Sequence, residues 1–261
     1  MLPRIGPLPS HELFVGLGVA VAVVVFVIEA RRRGQTDERL IYVVAGALVG
    51  GALLMRLGTW AQHVDLRDNA SLAEQWLYGN RSILGGLVGA WLGVHVAKRI
   101  AHYPLRTGDL FAPAVALGMT VGRVGCLLTE LPGTRTEVPW AIDGRHPSFA
   151  YEIAFHLAAF LALWLWLRRA DLPPGTTFVW YVGAYGVFRF LVEFVRGNEV
   201  VWFGLTRPQL FLACTVPLVL ARIAWQWRHG AYDGLKAPDV TESRDGRQGD
   251  LLDQRRPEVG A

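Results

Sequence analysis

Seven long apolar runs dominate the chain, at about residues 13–30, 40–59, 83–98, 110–129, 149–167, 176–194 and 210–225. Short stretches rich in Arg, Asp, Gly and Pro separate them. Each run is close to the ~20 residues that a helix needs to cross a hydrocarbon core about 30 Å thick. The pattern predicts an all-α fold: a polytopic membrane protein of seven transmembrane helices. The sixth run breaks the apolar pattern in a regular way. At 100° per residue Tyr185, Arg189, Glu193 and Arg196 fall within about a quarter turn of one another, which makes a polar stripe on a membrane-length segment. A charge at mid-bilayer costs about 2.5–3.5 kcal/mol even on the lenient insertion scale, so such a stripe reads first as a functional site. Arginines snorkelling to water and one structural ion pair are the plainer alternative.

Composition agrees with the membrane reading. The chain has 261 residues, and its 52% hydrophobic content and ten tryptophans are too apolar for a soluble domain of this length. The net charge of +4 would hint at nucleic acid if the basic residues were scattered, but they flank the apolar runs. No nucleic-acid partner is expected. Arg31, Arg32, Arg33 and Arg39 follow the first run, Lys98, Arg99 and Arg106 the third, Arg168 and Arg169 the fifth, and Arg222, Arg228 and Lys236 the seventh. The positive-inside rule puts these ends in the cytoplasm, with the N-terminus outside and the C-terminus inside. The first run has its arginines after it and no small-residue cleavage site, so it reads as a retained helix, with the mature chain beginning near Met1.

Cys126 and Cys214 both lie in apolar runs and read as buried free thiols. The histidines show no metal-ligand spacing, so no metal is expected. Residues 1–228 form the expected membrane domain, and 229–261, poor in large apolar side chains, an expected disordered cytoplasmic tail. Two external loops, about 60–81 and 130–147, are long enough to serve a site. The first carries Trp60, Trp76 and Tyr78, suited to the headgroup level.

Further polar positions gather toward the external side. Gly122-Arg123-Val124-Gly125-Cys126 sets a second intramembrane cation between glycines that permit close backbone approach. Beyond it come Glu130 and Gly133, then Arg145-His146-Pro147-Ser148-Phe149-Ala150-Tyr151-Glu152, where Pro147 permits a helix start and Glu152 is near the first turn, a favourable place for a carboxylate. Arg81-Ser82-Ile83-Leu84-Gly85-Gly86 opens the third helix at the same side. Its free N–H groups suit a phosphate, although a glycine pair in a membrane helix is more often a packing device.

These four motifs, in this order and with Gly204-Leu205-Thr206 and Gln209 after them, resemble the prolipoprotein diacylglyceryl transferase family over roughly residues 5–226. The resemblance implies a seven-helix enzyme of the bacterial inner membrane, without a cofactor. It would move the diacylglyceryl group of phosphatidylglycerol onto the lipobox cysteine in the signal peptide of a preprolipoprotein, releasing glycerol phosphate. Arg123 and Arg189 are then the phosphate-holding catalytic residues, with Tyr185 and Glu130 catalytic or positioning and Gly133 in the lipid-binding loop. Arginine suits the task because it stays ionised in the membrane and its fork matches phosphate oxygens. The incoming thiol needs a proton acceptor, and His146 is the histidine of this side that falls inside a motif, either as that base or as a helix cap. Gly85, Gly86, Arg145, Glu152, Glu193 and Arg196 complete the expected substrate-binding set.

The chain departs from the family pattern in three places. Leu84 stands where many members carry a histidine. His11 is followed by Glu12, Leu13 and Phe14 where many have a tyrosine, and the segment after Cys126 is about one residue short. Two other readings therefore stand beside the transferase. One is a divergent phospholipid-binding or lipid-transferring protein with another acceptor; the other is a small transporter, which would show inverted repeats or broken helix pairs.

Overall fold

The computed structural model describes residues 2–63, 82–130 and 133–232. The seven expected helices are all present: α1 (Ser10–Arg32), α2 (Leu40–His63), α3 (Ile83–Ile100), α4 (Gly108–Thr129), α5 (Ser148–Leu161), α6 (Thr176–Val192) and α7 (Arg207–Arg228). A π turn (Ala162–Trp166) and a 3-10 turn (Leu167–Arg169) extend α5, and a 3-10 turn (Glu193–Val195) extends α6. All seven are long and apolar enough to cross a membrane. Most of the loop expected at 60–81 and all of the chain after Tyr232 lie outside the described residues. Of the tail expected from 229, residues 229–232 are described: Tyr232 is buried, donates to Gln226 Oε1 at 2.8 Å and packs its ring on Trp180 and Trp227.

The burial pattern is that of a protein in lipid. α7 buries only Gln209 and Leu212, while Leu218, Trp225 and Trp227 face outward. α4 is the central helix, half of it buried, packed against α1, α5 and α6. Cys214, expected to be buried, lies on the outward face of α7; Cys126 on α4 is buried.

Without a hydrophobic drive between helices in lipid, close backbone approach has to supply the packing. Glycines do this at two antiparallel seams. Between α2 and α3, Gly46 faces Gly93 and Gly50 faces Gly89, so closely that a Cβ on any of them would collide with the opposing carbonyl. Between α1 and α4, Gly18 meets Gly118, and Gly125 meets the backbone of His11.

Gly85 belongs to the first seam, against the carbonyl of Leu54. Its amide donates to the N-cap Ser82 Oγ at 3.1 Å, and that of Gly86 to Ser82 O at 2.9 Å. The N–H groups expected to be free are therefore engaged. Of the two readings of this glycine pair, helix packing and capping is the one that the geometry supports.

Three short segments meet at the ends of α4, α6 and α7. The hairpin β1–β2 (Arg4–Ile5, Leu8–Pro9) precedes α1 and is tied to α4 by Leu2 N donating to Leu128 O at 2.8 Å. The hairpin β3–β4 (Val200–Trp202, Leu205–Thr206) turns through Phe203 and Gly204, both at positive φ, and delivers Thr206 to the start of α7. The loop 133–147 is pinned to the 3-10 turn after α6 by Thr134 N donating to Val195 O at 2.8 Å.

Replacing Gly93 by valine should force the α2–α3 seam apart and cost about 1–3 kcal/mol or more. Gly16→Val on α1, where a Cβ meets open space, is the control. Thermal unfolding in detergent should show a clear fall in midpoint for the first variant and none for the second.

Candidate functional site

Tyr185, Arg189 and Glu193 share one face as the periodicity predicts, but that face points into the protein, with exposures of 2%, 7% and 1%. Arg189 Nη1 contacts Glu193 Oε2 one turn on. Glu193 Oε1 accepts from Asn198 Nδ2 at 2.6 Å and from Thr206 Oγ1 at 3.0 Å. Thr206 in turn forms a capping box with Gln209, whose Nε2 donates to Phe190 O at 3.2 Å. Glu193 thus aligns Arg189 and locks the end of α6 to the start of α7.

Arg196 lies beyond the 3-10 turn, so it leaves the α-helical stripe and reaches across to α5, where its Nη1 donates to Glu152 Oε1 at 2.5 Å. Glu152 Oε2 also pairs with Arg123 Nη2 of α4. Glu152 has no exposed surface, so its role as a helix-terminal charge gives way to that of a bridge between two guanidinium groups. Both arginines lie over the ring of Phe149, with Cζ at 5.8 Å for Arg123 and 4.8 Å for Arg196. The whole forms a relay, Arg123–Glu152–Arg196–Glu193–Arg189, of three guanidinium groups and two carboxylates. One positive charge is in excess, in surroundings that water does not screen.

The relay does not use all its donors. Arg123 Nε, Arg196 Nε, the Tyr185 hydroxyl and His156 Nε2 are buried without an aligned hydrogen bond among the described residues. Buried donors in that condition are costly and point to a bound polar group. Arg123 is six residues before the end of α4, about 9 Å below it by helical rise. The arrangement suits a single anion held in place, with charge stabilised where it develops.

The other expected residues surround this relay. Gly133 packs so closely on the Val195 carbonyl that no Cβ fits. Arg145 Nη1 donates to Gly133 O at 3.2 Å, which braces the loop. The His146 ring contacts the Tyr151 hydroxyl at 3.2 Å, and Trp140 Nε1 donates to that hydroxyl at 2.7 Å. Glu130 caps α4, is 44% exposed at its side chain, and lies 3.7 Å from His11 Nδ1. None of these three side chains bonds to the relay, and neither do Gly85 and Gly86 in the α2–α3 seam.

Sequence reasoning missed His156. It is fully buried, with Nδ1 3.0 Å from the Tyr181 hydroxyl and its ring 4.7 Å from that of Tyr185. Its position one turn after Glu152 within an apolar run was the available signal.

A seven-helix membrane fold around a buried, net-cationic cluster of side chains defines a class of integral membrane protein. The family model of prolipoprotein diacylglyceryl transferase matches residues 4–227. Similar curated proteins are named phosphatidylglycerol--prolipoprotein diacylglyceryl transferase. One from Pseudomonas aeruginosa is 34% identical over 87% of this chain and 93% of its own. One from Chromohalobacter salexigens is 37% identical over 70% of each chain, and one from Bordetella bronchiseptica 32% identical over 84% and 90%. The chain belongs to the prolipoprotein diacylglyceryl transferase family.

Removing one partner of a buried ion pair strands the other, at a cost of about 3–5 kcal/mol. Glu152→Ala should therefore fall well below the parent in thermal stability. Glu199→Ala, from the exposed pair with Arg207, should stay within about 0.5 kcal/mol. Unfolding of both purified variants checks the contrast.

Proposed function

We propose that the chain transfers the diacylglyceryl group of phosphatidylglycerol to the lipobox cysteine of preprolipoproteins, with the relay facing the outside of a bacterial inner membrane. The observation that carries this reading is the excess guanidinium charge beside unfilled donors on Arg123 and Arg196. Family membership supplies the reaction.

In this reading the thiolate of the lipobox cysteine attacks the glycerol carbon that carries the phosphate ester. The C–O bond breaks with its electron pair going to oxygen, and glycerol phosphate leaves with added negative charge. Arg123 and Arg189 hold that charge, Tyr185 orients the phosphate, and Arg196 and Glu152 set the angle of Arg123. Glu193 does the same for Arg189. His146 takes the thiol proton; Tyr151 engages its Nδ1, which leaves Nε2 for the substrate. Gly133 and Arg145 keep the overlying loop closed, and Glu130 positions the end of α4. Gly85 and Gly86 act by letting α3 pack against α2.

Helix direction supports the orientation. The relay is at the ends where α4 and α6 finish and α7 begins, while Arg31, Arg32, Arg33, Lys98, Arg99, Arg168 and Arg169 cluster at the opposite ends. A reporter fused after Trp225 should be active only in the cytoplasm. Opposite behaviour would place the relay on the wrong side for an exported substrate.

Specific lipidation per unit of folded protein, measured with phosphatidylglycerol and a lipobox peptide, tests the chemistry. Arg123→Ala and Arg189→Ala should abolish transfer, and Arg189→Lys should retain little because it keeps the charge and loses the fork. If Arg189 acts only as Glu193's partner, its alanine variant should be scarce and removing both charges should restore a folded, active protein. Normal specific activity in either alanine variant removes the phosphate-holding role.

A further inference from the structure

We propose that His11, Cys126 and Glu130 form a zinc(II) site that joins the start of α1 to the end of α4. One donor atom from each of the three lies within 4.8 Å of the others. His11 Nδ1 is 3.8 Å from Cys126 Sγ and 3.7 Å from Glu130 Oε1. The His11–Glu130 separation is too long for a hydrogen bond. It is close to the edge of a metal tetrahedron. With the usual zinc bond lengths the N–S edge is about 3.6 Å and the N–O edge about 3.3 Å, so both separations from His11 Nδ1 are within a few tenths of an ångström of those edges, and the thiol and carboxylate lie within 4.8 Å of each other.

Charge and surroundings agree. A thiolate and a carboxylate neutralise the dication, which allows it to sit near Arg123 without repelling it. Arg123 Nη1 donates to Cys126 Sγ at 3.6 Å, the kind of outer contact that steadies a metal-bound thiolate. A soft thiolate with an imidazole favours zinc over magnesium or calcium. Cys126 is buried, whereas the side chains of His11 and Glu130 are 31% and 44% exposed. An ion therefore has a way in, and a water can complete the fourth position.

The donors are also held in place. A Cβ at Gly125 would lie 3.1 Å from His11 O and 2.9 Å from Phe14 Cβ, so glycine is what lets α1 come near enough for His11 to face Cys126. Ser10 Oγ donates to Leu2 O at 2.6 Å, and Leu2 N to Leu128 O, which fixes the start of α1 against α4. Glu130 N donates to Cys126 O at 2.8 Å and keeps Glu130 one turn above the thiol. The site goes beyond lipid transfer: it is a metal clamp three residues from Arg123.

The test is cobalt(II) titration of the purified full chain in detergent, carrying Cys214→Ser to remove the outward-facing thiol. One equivalent should give a thiolate-to-cobalt charge-transfer band with strong tetrahedral d–d absorption, and zinc(II) should displace it. Cys126→Ser should lose the charge-transfer band. His11→Ala and Glu130→Gln should each weaken binding more than about tenfold, with folding checked by thermal unfolding. Zinc should raise the unfolding midpoint of the Cys214→Ser chain and not that of the His11→Ala variant. Weak octahedral spectra, or binding unchanged in the His11→Ala variant, would overturn the site. The readout involves no lipid transfer, so its failure leaves the proposed reaction standing.

Discussion

Burying ionised groups at membrane depth is the constraint around which this protein is arranged. An arginine in the hydrocarbon region is tolerable only when a carboxylate and the protein's own polar groups replace water. Glu152 serves two arginines from two different helices, and Glu193 serves Arg189 while also receiving Asn198 and Thr206. Each carboxylate therefore ties helices together as well as balancing charge. The contacts of α5 with α4 and of α6 with α7 near this end depend on both being present.

Glycine supplies the complementary means of assembly. At the α2–α3 and α1–α4 seams the backbones come so close that side chains would interfere, and the polar end of the bundle is held on that frame. Gly133 does the same for a loop, letting it seat directly on the 3-10 turn that positions Glu193 and Arg196.

The seven helices were legible because each is a long apolar run, and the Tyr185–Arg189–Glu193 face because helical periodicity alone creates it. The partnership of Arg123 with Glu152 was not, since the two residues are on different helices and no local pattern joins them. Periodicity alone keeps Arg196 on the α-helical stripe, because nothing in Glu193-Phe194-Val195 announces the 3-10 turn that precedes Gly197 at positive φ. The Gly85 and Gly86 amides are engaged by Ser82, a cap directly before the helix that the glycine pair itself does not announce. His156 was hidden among apolar neighbours, and His11 and Cys126 are 115 residues apart in sequence.

The single excess positive charge in the relay also gives the protein two cationic regions that respond differently to salt. The arginines at the opposite helix ends project toward water, where a Debye length of about 10 Å at 0.1 M ionic strength reduces their field. Around Arg123 and Glu152, counter-ions have almost no surface to approach, so the field there persists as salt rises. Ionic strength thus separates attraction of the protein to charged surfaces from the field inside the relay.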